Sequence, residues 1–209
     1  IEETSEHIIV LAGPISYLLA SDAFDQALGD ILRESIPDAL AGRKRALAQI
    51  EEITAVLRQR KDNYRRRQPG IVNLISAMEM EHFLQNGLVG RLGLPDEVRR
   101  ERRALARAEA EHFVKLMEDE PIGVQIGIVP DTLPHASFQL FRQPDRQVLA
   151  LSPFRLGEQP NIRVGVAMIT SAPEALALHE KMARVLWSSA LKGPAAVRFM
   201  RGMMETVKD

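Results

Sequence analysis

At 209 residues, with 45% hydrophobic and 26% charged side chains, the chain has the composition of an ordinary globular protein and can bury a core without covalent staples. The absence of cysteine excludes disulfides and thiolate metal sites, and it fits a reducing, cytoplasmic setting. A net charge of -1, from 27 basic and 28 acidic side chains, gives no bulk attraction to nucleic acid or anionic lipid.

No apolar run approaches the roughly 20 residues that a membrane helix needs, and the longest, Ile8 to Ala20, is interrupted by Gly13, Pro14 and Ser16. The chain starts with Ile, and Ile1 to Glu6 lacks the basic start of a secretion signal, so a preceding segment is expected. Residues 7 to 13 (HIIVLAG) are β-branched and apolar, which predicts a strand buried on both faces and ended by Gly13-Pro14. Ser21 or Asp22 then caps a helix carrying Phe24, Ala27, Leu28, Ile31 and Leu32, which stops at Pro37. From Asp38 a longer helix aligns Leu40, Leu47, Ile50, Thr54 and Leu57, with Ile53 beside them, up to Gln68-Pro69-Gly70.

The spacing of Ile71, Leu74, Ile75 and Met78 predicts a third helix over 71 to 85, closed at Asn86-Gly87. A fourth starts at Leu94-Pro95-Asp96-Glu97 and runs to about Glu118, its acids matching the positive end of the helix dipole. Four short apolar segments follow at 124–129, 137–141, 147–152 and 163–169, and the turn Gln143-Pro144-Asp145-Arg146 makes the middle pair antiparallel. Ser171 opens a helix through Leu191, and Gly193-Pro194 separates it from a last one ending near Val207. The expected class is α/β (α+β): a helical N-terminal half with one buried strand, then a small, mostly antiparallel sheet closed by two C-terminal helices. A single domain spans 1 to 209, with a subdivision at 94/95.

Two Glu-x-x-His motifs, Glu79 with His82 and Glu109 with His112, put a carboxylate and an imidazole on one helix face. Di-iron bundles use such pairs, but they also need glutamates from two further helices. Core or interface histidines are the simpler expectation, and a carboxylate-histidine metal enzyme is the alternative. Ser137 near His135, and Ser152 before Pro153, are the only strand-end hydrolase candidates, and neither lies in a Gly-x-Ser-x-Gly elbow. Gly87, Gly90 and Gly93 lack the strand and lysine of a phosphate loop. The basic runs Arg58 to Arg67 and Arg99 to Arg107 read as solvated helix faces with acid partners, with a nucleic-acid surface as the other option. Aromatic residues are few, and Phe138, Phe141, Phe154 and Trp187 are read first as core. With Met168 they outline an apolar pocket in which His135 or Arg155 supplies a polar contact. Met200, Met203 and Met204 are read as core or as an adaptable surface.

The order Pro95-Asp96-Glu97-Val98-Arg99-Arg100 with Arg107, then Val124 to Pro130, then Ser137-Phe138-Gln139-Leu140-Phe141, then a strand and closing helices, spans residues 95 to 207. It resembles the C-terminal regulatory domain of bacterial helix-turn-helix transcription factors of the xenobiotic-response-element (XRE) type, including the Scr-like actinobacterial regulators. The resemblance implies a sensor or dimerisation module with no catalytic residues to carry over, acting on a DNA reader that would precede Ile1. The expectation is therefore a cytoplasmic, non-catalytic ligand-sensing or dimerisation domain with no cofactor or metal, no membrane contact, a small-molecule effector and a homodimeric state. Its pocket residues would be His135, Phe138, Phe141, Phe154, Met168 and Trp187.

Overall fold

A computed structural model describes residues 1–11, 13–89, 91, 93–130, 137–152 and 168–207. Its centre is one seven-stranded sheet in the order β6-β5-β4-β1-β2-β3-β7. Strands β1 (His7–Leu11), β2 (Gly70–Ser76) and β3 (Val124–Val129) are parallel neighbours, with Val10 opposite Asn73 and Asn73 opposite Ile126. Strands β4 (Ser137–Arg142), β5 (Gln147–Ser152) and β6 (Met168–Thr170) extend the sheet antiparallel on the far side of β1, and β7 (Leu191–Lys192) adds an antiparallel edge to β3.

The parallel part requires crossovers, and each is a helical pair. α1 (Asp22–Glu34) and α2 (Arg43–Arg67) join β1 to β2, and α3 (Ala77–Asn86) and α4 (Asp96–Asp119) join β2 to β3. Both pairs pack on the same face of the sheet. There Phe24, Ile31, Leu32, Ile50, Met80, Phe83, Phe113 and Val114 meet Ile8, Val10, Ile71, Ile75, Ile126 and Ile128 in the main core. Among the described residues α5 (Pro173–Ser189) is the helix on the other face, with Ala183 and Leu186 against Leu11, Leu74, Phe138, Leu140 and Leu149. It carries the chain from the β6 edge to the β7 edge, and α6 (Gly193–Thr206) then returns to the first face, burying Met200 and Met204 in the main core.

The mixed α/β class read from the sequence is the one found, but the C-terminal strands do not form a small antiparallel sheet of their own: β3 pairs parallel with β2 and β4 pairs antiparallel with β1, so both halves build one sheet. Two further corrections concern element bounds. Residues 71 to 76 are strand β2 and the helix starts only at Ala77, so the N-terminal half contributes two strands. Ile71, Leu74 and Ile75 fit helical spacing, but they also fit a strand whose two faces are both covered, where alternation disappears. The start signal is Ser76 with Glu79: the Ser76 hydroxyl accepts the Glu79 N–H at 3.2 Å, as a capping box does. The second correction is Leu40, which precedes α2 and is 45% exposed, so the long helix begins at Arg43.

The turn between β4 and β5 forms as expected, the Gln143 N–H donating to the Arg146 carbonyl at 2.8 Å. The buried Gln143 side chain also donates to the Ile1 carbonyl at 3.0 Å and so ties down the N-terminus. Met200 and Met204 are core residues and Met203 packs against them. No helix among the described residues is long and apolar enough to cross a membrane.

One junction is set by backbone chemistry. Gly87 ends α3 at φ 71°, ψ -177°, a region in effect reserved for glycine, and a Cβ there would stand 2.5 Å from the Arg102 carbonyl carbon on α4. Gly93 has φ +72° with nothing within 4 Å of a Cβ. Gly93→Ala should therefore cost about 1 kcal/mol of strain, whereas Gly87→Ala should cost at least about 3 kcal/mol because α3 and α4 must separate. Urea denaturation of the two variants measures the difference, and equal costs would show that the α3–α4 contact is not tight.

Candidate functional site

The connection from β1 to α1 runs across the helical layer, with Ile15, Ser16, Leu18, Leu19 and Ala20 buried and a 3₁₀ turn at Tyr17–Leu19. Acidic side chains hold both of its ends. A Cβ on Gly13 would lie 1.1 Å from Glu79 Oε2, so the absence of a side chain at Gly13 is what admits the Glu79 carboxyl. At the other end Glu109, 1% exposed, accepts the Ser21 N–H at 2.8 Å and the Ser21 O–H at 2.5 Å. The Ser21 oxygen in turn accepts the Phe24 N–H at 3.1 Å and caps α1. His112, one turn along α4 from Glu109, hydrogen-bonds the Leu19 carbonyl through Nε2 at 2.9 Å, an arrangement in which the ring N–H is the donor.

The two Glu-x-x-His motifs therefore do not converge. Glu109 and His112 act together on residues 19–21, Glu79 meets Gly13, and His82 is exposed. No group of three or more His, Cys, Asp or Glu among the described residues is arranged to hold a metal ion.

Lys61 completes the junction from the α2 side. Its side chain is 2% exposed, and its ammonium donates to Asp25 Oδ2 at 2.6 Å and to the Ser21 carbonyl at 3.1 Å. It also stands 5.5 Å from the Tyr17 ring centroid. Burial, and then the Asp25 carboxylate, push the Tyr17 hydroxyl pKa well above its ordinary value. Arg65, one turn further along α2, bonds Asp22 and holds that carboxyl below the usual range. Lys61 was not singled out from the sequence because it lies inside a basic run. The signal was its spacing: it continues the Ile50–Thr54–Leu57 stripe by one more turn, so a lysine sits where the core face runs.

Beneath this junction lies a cleft of ≈ 370 Å³, bounded by residues 18–22, the end of α2 and the end of α4. Leu18, Leu19, Leu116, Ile122 and Val124 give it apolar walls, and Tyr64, Arg65, Gln68, Ser21, Asp22 and His112 supply polar groups. Burial pushes the Tyr64 hydroxyl pKa up to about 12, so it is a neutral donor throughout the physiological range. A second cleft of ≈ 570 Å³ shares Leu116, Pro121, Ile122 and Val124 with the first and continues past His7, Glu120 and Gln125 to Trp187 and Lys192. Burial, then Arg142, hold the His7 pKa below its ordinary value.

The pocket residues expected from the sequence are distributed differently. Phe138 and Phe141, three apart on β4, point to opposite faces of the sheet: Phe138 packs under α5, edge-on to His179 at 5.1 Å, and Phe141 fills the main core. They do not line a common pocket. Met168 is 55% exposed on the edge strand β6. Trp187 borders the second cleft, lying on Gly127, whose added Cβ would be 2.9 Å from the indole, with Lys192 Nζ 5.0 Å from its ring. His135, Phe154 and Arg155 lie outside the described residues, as do Gly90 of the glycine series and residues 163–167 of the last apolar segment. Ser137 is buried at the start of β4, opposite Ser152 in the register, and its hydroxyl has no hydrogen-bond partner among the described residues.

Much of the arginine content joins elements. Arg60 binds Glu2 through two nitrogens, Arg102 reaches Glu34 at 3.0 Å, and Arg107 donates to the Met204 and Val207 carbonyls at the end of α6. Compared with models of known protein families and with curated protein sequences, the chain matches none.

The buried ion pair gives a stability test. Lys61→Met leaves the Asp25 carboxylate buried without its cation and should cost about 3–5 kcal/mol in urea denaturation. Adding Asp25→Leu should recover more than half of that loss, since a pair replaced by apolar groups is close to neutral. A double variant no more stable than the single one would mean that Lys61 acts through contacts other than Asp25.

Proposed function

We propose that this chain is a non-catalytic, ligand-sensing domain of a bacterial transcriptional regulator, and that its effector binds in the cleft under residues 18–22. The observation that carries the reading is the make-up of that cleft. It has the volume of a small-molecule site, apolar walls and a few convergent polar groups, and those walls come from three separate stretches of chain. Tyr64 Oη has no hydrogen-bond partner among the described residues and is held protonated. The matching ligand is a small amphipathic molecule with a carbonyl or carboxylate acceptor.

Such a ligand touches the start of α1 and the ends of α2 and α4 together, so occupancy favours one placement of residues 17–22 between the two long helices. A shift requires unequal affinity for the two placements, which contact with all three stretches supplies. The resemblance of residues 95 to 207 to XRE-type regulatory domains supports the regulatory context. On this reading DNA contact belongs to a segment upstream of Ile1, and the arginine runs serve the domain's own packing.

The test is a thermal-shift screen of the purified chain against amphipathic carboxylates and carbonyl compounds. A true effector at about 100 Kd adds about 2.7 kcal/mol, a Tm rise of roughly 5–10 °C for a domain of this size. Leu116→Trp, which fills the cleft, should abolish the rise, and Tyr64→Phe should weaken binding about tenfold by removing one donor. No hit across the panel, or hits indifferent to both changes, would contradict the assignment.

A further inference from the structure

α5 has more apolar surface than its place on the sheet uses. Ala183 and Leu186 are buried, with Ala175, Leu176 and Trp187 packed beside them, yet Leu178, Met182 and Val185 are 62%, 38% and 55% exposed. Those three follow i, i+4, i+7 spacing and form a second stripe directed away from the sheet. The chain enters α5 directly from β6, the edge strand, where Met168 and Ile169 are 55% and 58% exposed. Half of the ten large apolar side chains exposed among the described residues thus fall between 168 and 185. Single exposed apolar residues need no explanation, but a run of this kind marks a surface that something covers.

We infer that the cover is a second copy of this chain, its α5 packed antiparallel on the first across a twofold axis at Leu178. The charges beside the stripe favour this occupant because they are self-complementary. Glu174 and Lys181 lie four residues before and three residues after Leu178, on the same flank of the helix. Their axial offsets from Leu178 are therefore roughly 6 Å and 4.5 Å in opposite directions. A twofold axis at Leu178 brings Glu174 of each copy opposite the partner's Lys181, giving two identical ion pairs. Neither side chain makes an ion pair within the described residues of its own protomer, whereas Glu180, on the inner side, stands 4.0 Å from both Arg142 and Arg184. In the same register Val185 falls opposite the partner's residues 171–173, where β6 ends. The contact is isologous, as closed dimers require. It does not depend on the cleft being a ligand site, so the two can fail separately.

Sedimentation equilibrium of the full chain, with no ligand present, tests it. The wild-type chain should be a dimer at micromolar concentration, twice the 23.3 kDa chain mass. Leu178→Glu should leave it monomeric with unchanged far-UV circular dichroism. Lys181→Glu and Glu174→Lys, each placing like charges opposite one another, should each weaken association at least tenfold. An equimolar mixture of those two variants should dimerise again, because every pair across the mixed interface is then of opposite sign. If Leu178→Glu fails to fold, the two charge variants and their mixture still decide the matter. A chain that is monomeric throughout, a dimer indifferent to these changes, or a mixture that stays monomeric would overturn the inference.

Discussion

The buried contact between Lys61 and Asp25 is the constraint from which the site follows. A lysine 2% exposed in the side chain is tolerated only where its charge is met, and here Asp25, the Ser21 carbonyl and the Tyr17 ring meet it. An aliphatic pair of similar volume would bury as well, but it would not fix which residue of the β1–α1 connection faces α2. With Lys61 on one side and Glu109 and His112 on the other, residues 19–25 are held from both long helices at once. Leu18, Leu19, Ala20 and Phe24 pack into the main core beside these polar contacts, and the cleft lies below the bridge where the ends of α2 and α4 diverge from it.

The unequal loading of the sheet shapes the rest. Both crossovers and α6 pack on one face, and among the described residues α5 is the element that covers the other. That demand explains the inner stripe of α5, and it leaves the outer one unassigned within a protomer. The proposed effector site and the proposed pairing surface then lie in different parts of the molecule, the cleft among the helices of the thick layer and the outer stripe of α5 on the thin one. The β3–α5–β7 contact, where Trp187 lies on Gly127, connects the second cleft to α5.

Where local chemistry dictated local structure, the sequence was readable. Ser21 caps α1, Pro95 and the acids after it open α4, and the Gln143–Arg146 turn pairs β4 with β5, each through groups adjacent in the chain. Strand β2 was misread because a strand buried on both faces loses its alternation, and β7 is too short to carry any pattern. The site was harder still. Lys61 sits in a run that looks like a solvated basic face, and only its continuation of the Ile50 stripe distinguishes it. The second Glu-x-x-His motif was visible, but its role depends on Ser21 and Leu19, about ninety residues away, which no spacing in α4 encodes. For Phe138 and Phe141, strand parity alone would have placed the two rings on opposite faces.

The account stands or falls on residues 19–25 being an integral part of the helical layer. Residue-resolved amide hydrogen exchange measures this directly, because the Ser21, Phe24 and Asp25 amides donate to Glu109 Oε1, the Ser21 hydroxyl and the Ser21 carbonyl respectively. Opening free energies at those three amides equal to those of the α4 core residues Phe113 and Val114 are the predicted result. Exchange at the rate of an unstructured loop, with α4 still protected, would show that the bridge over the cleft does not hold.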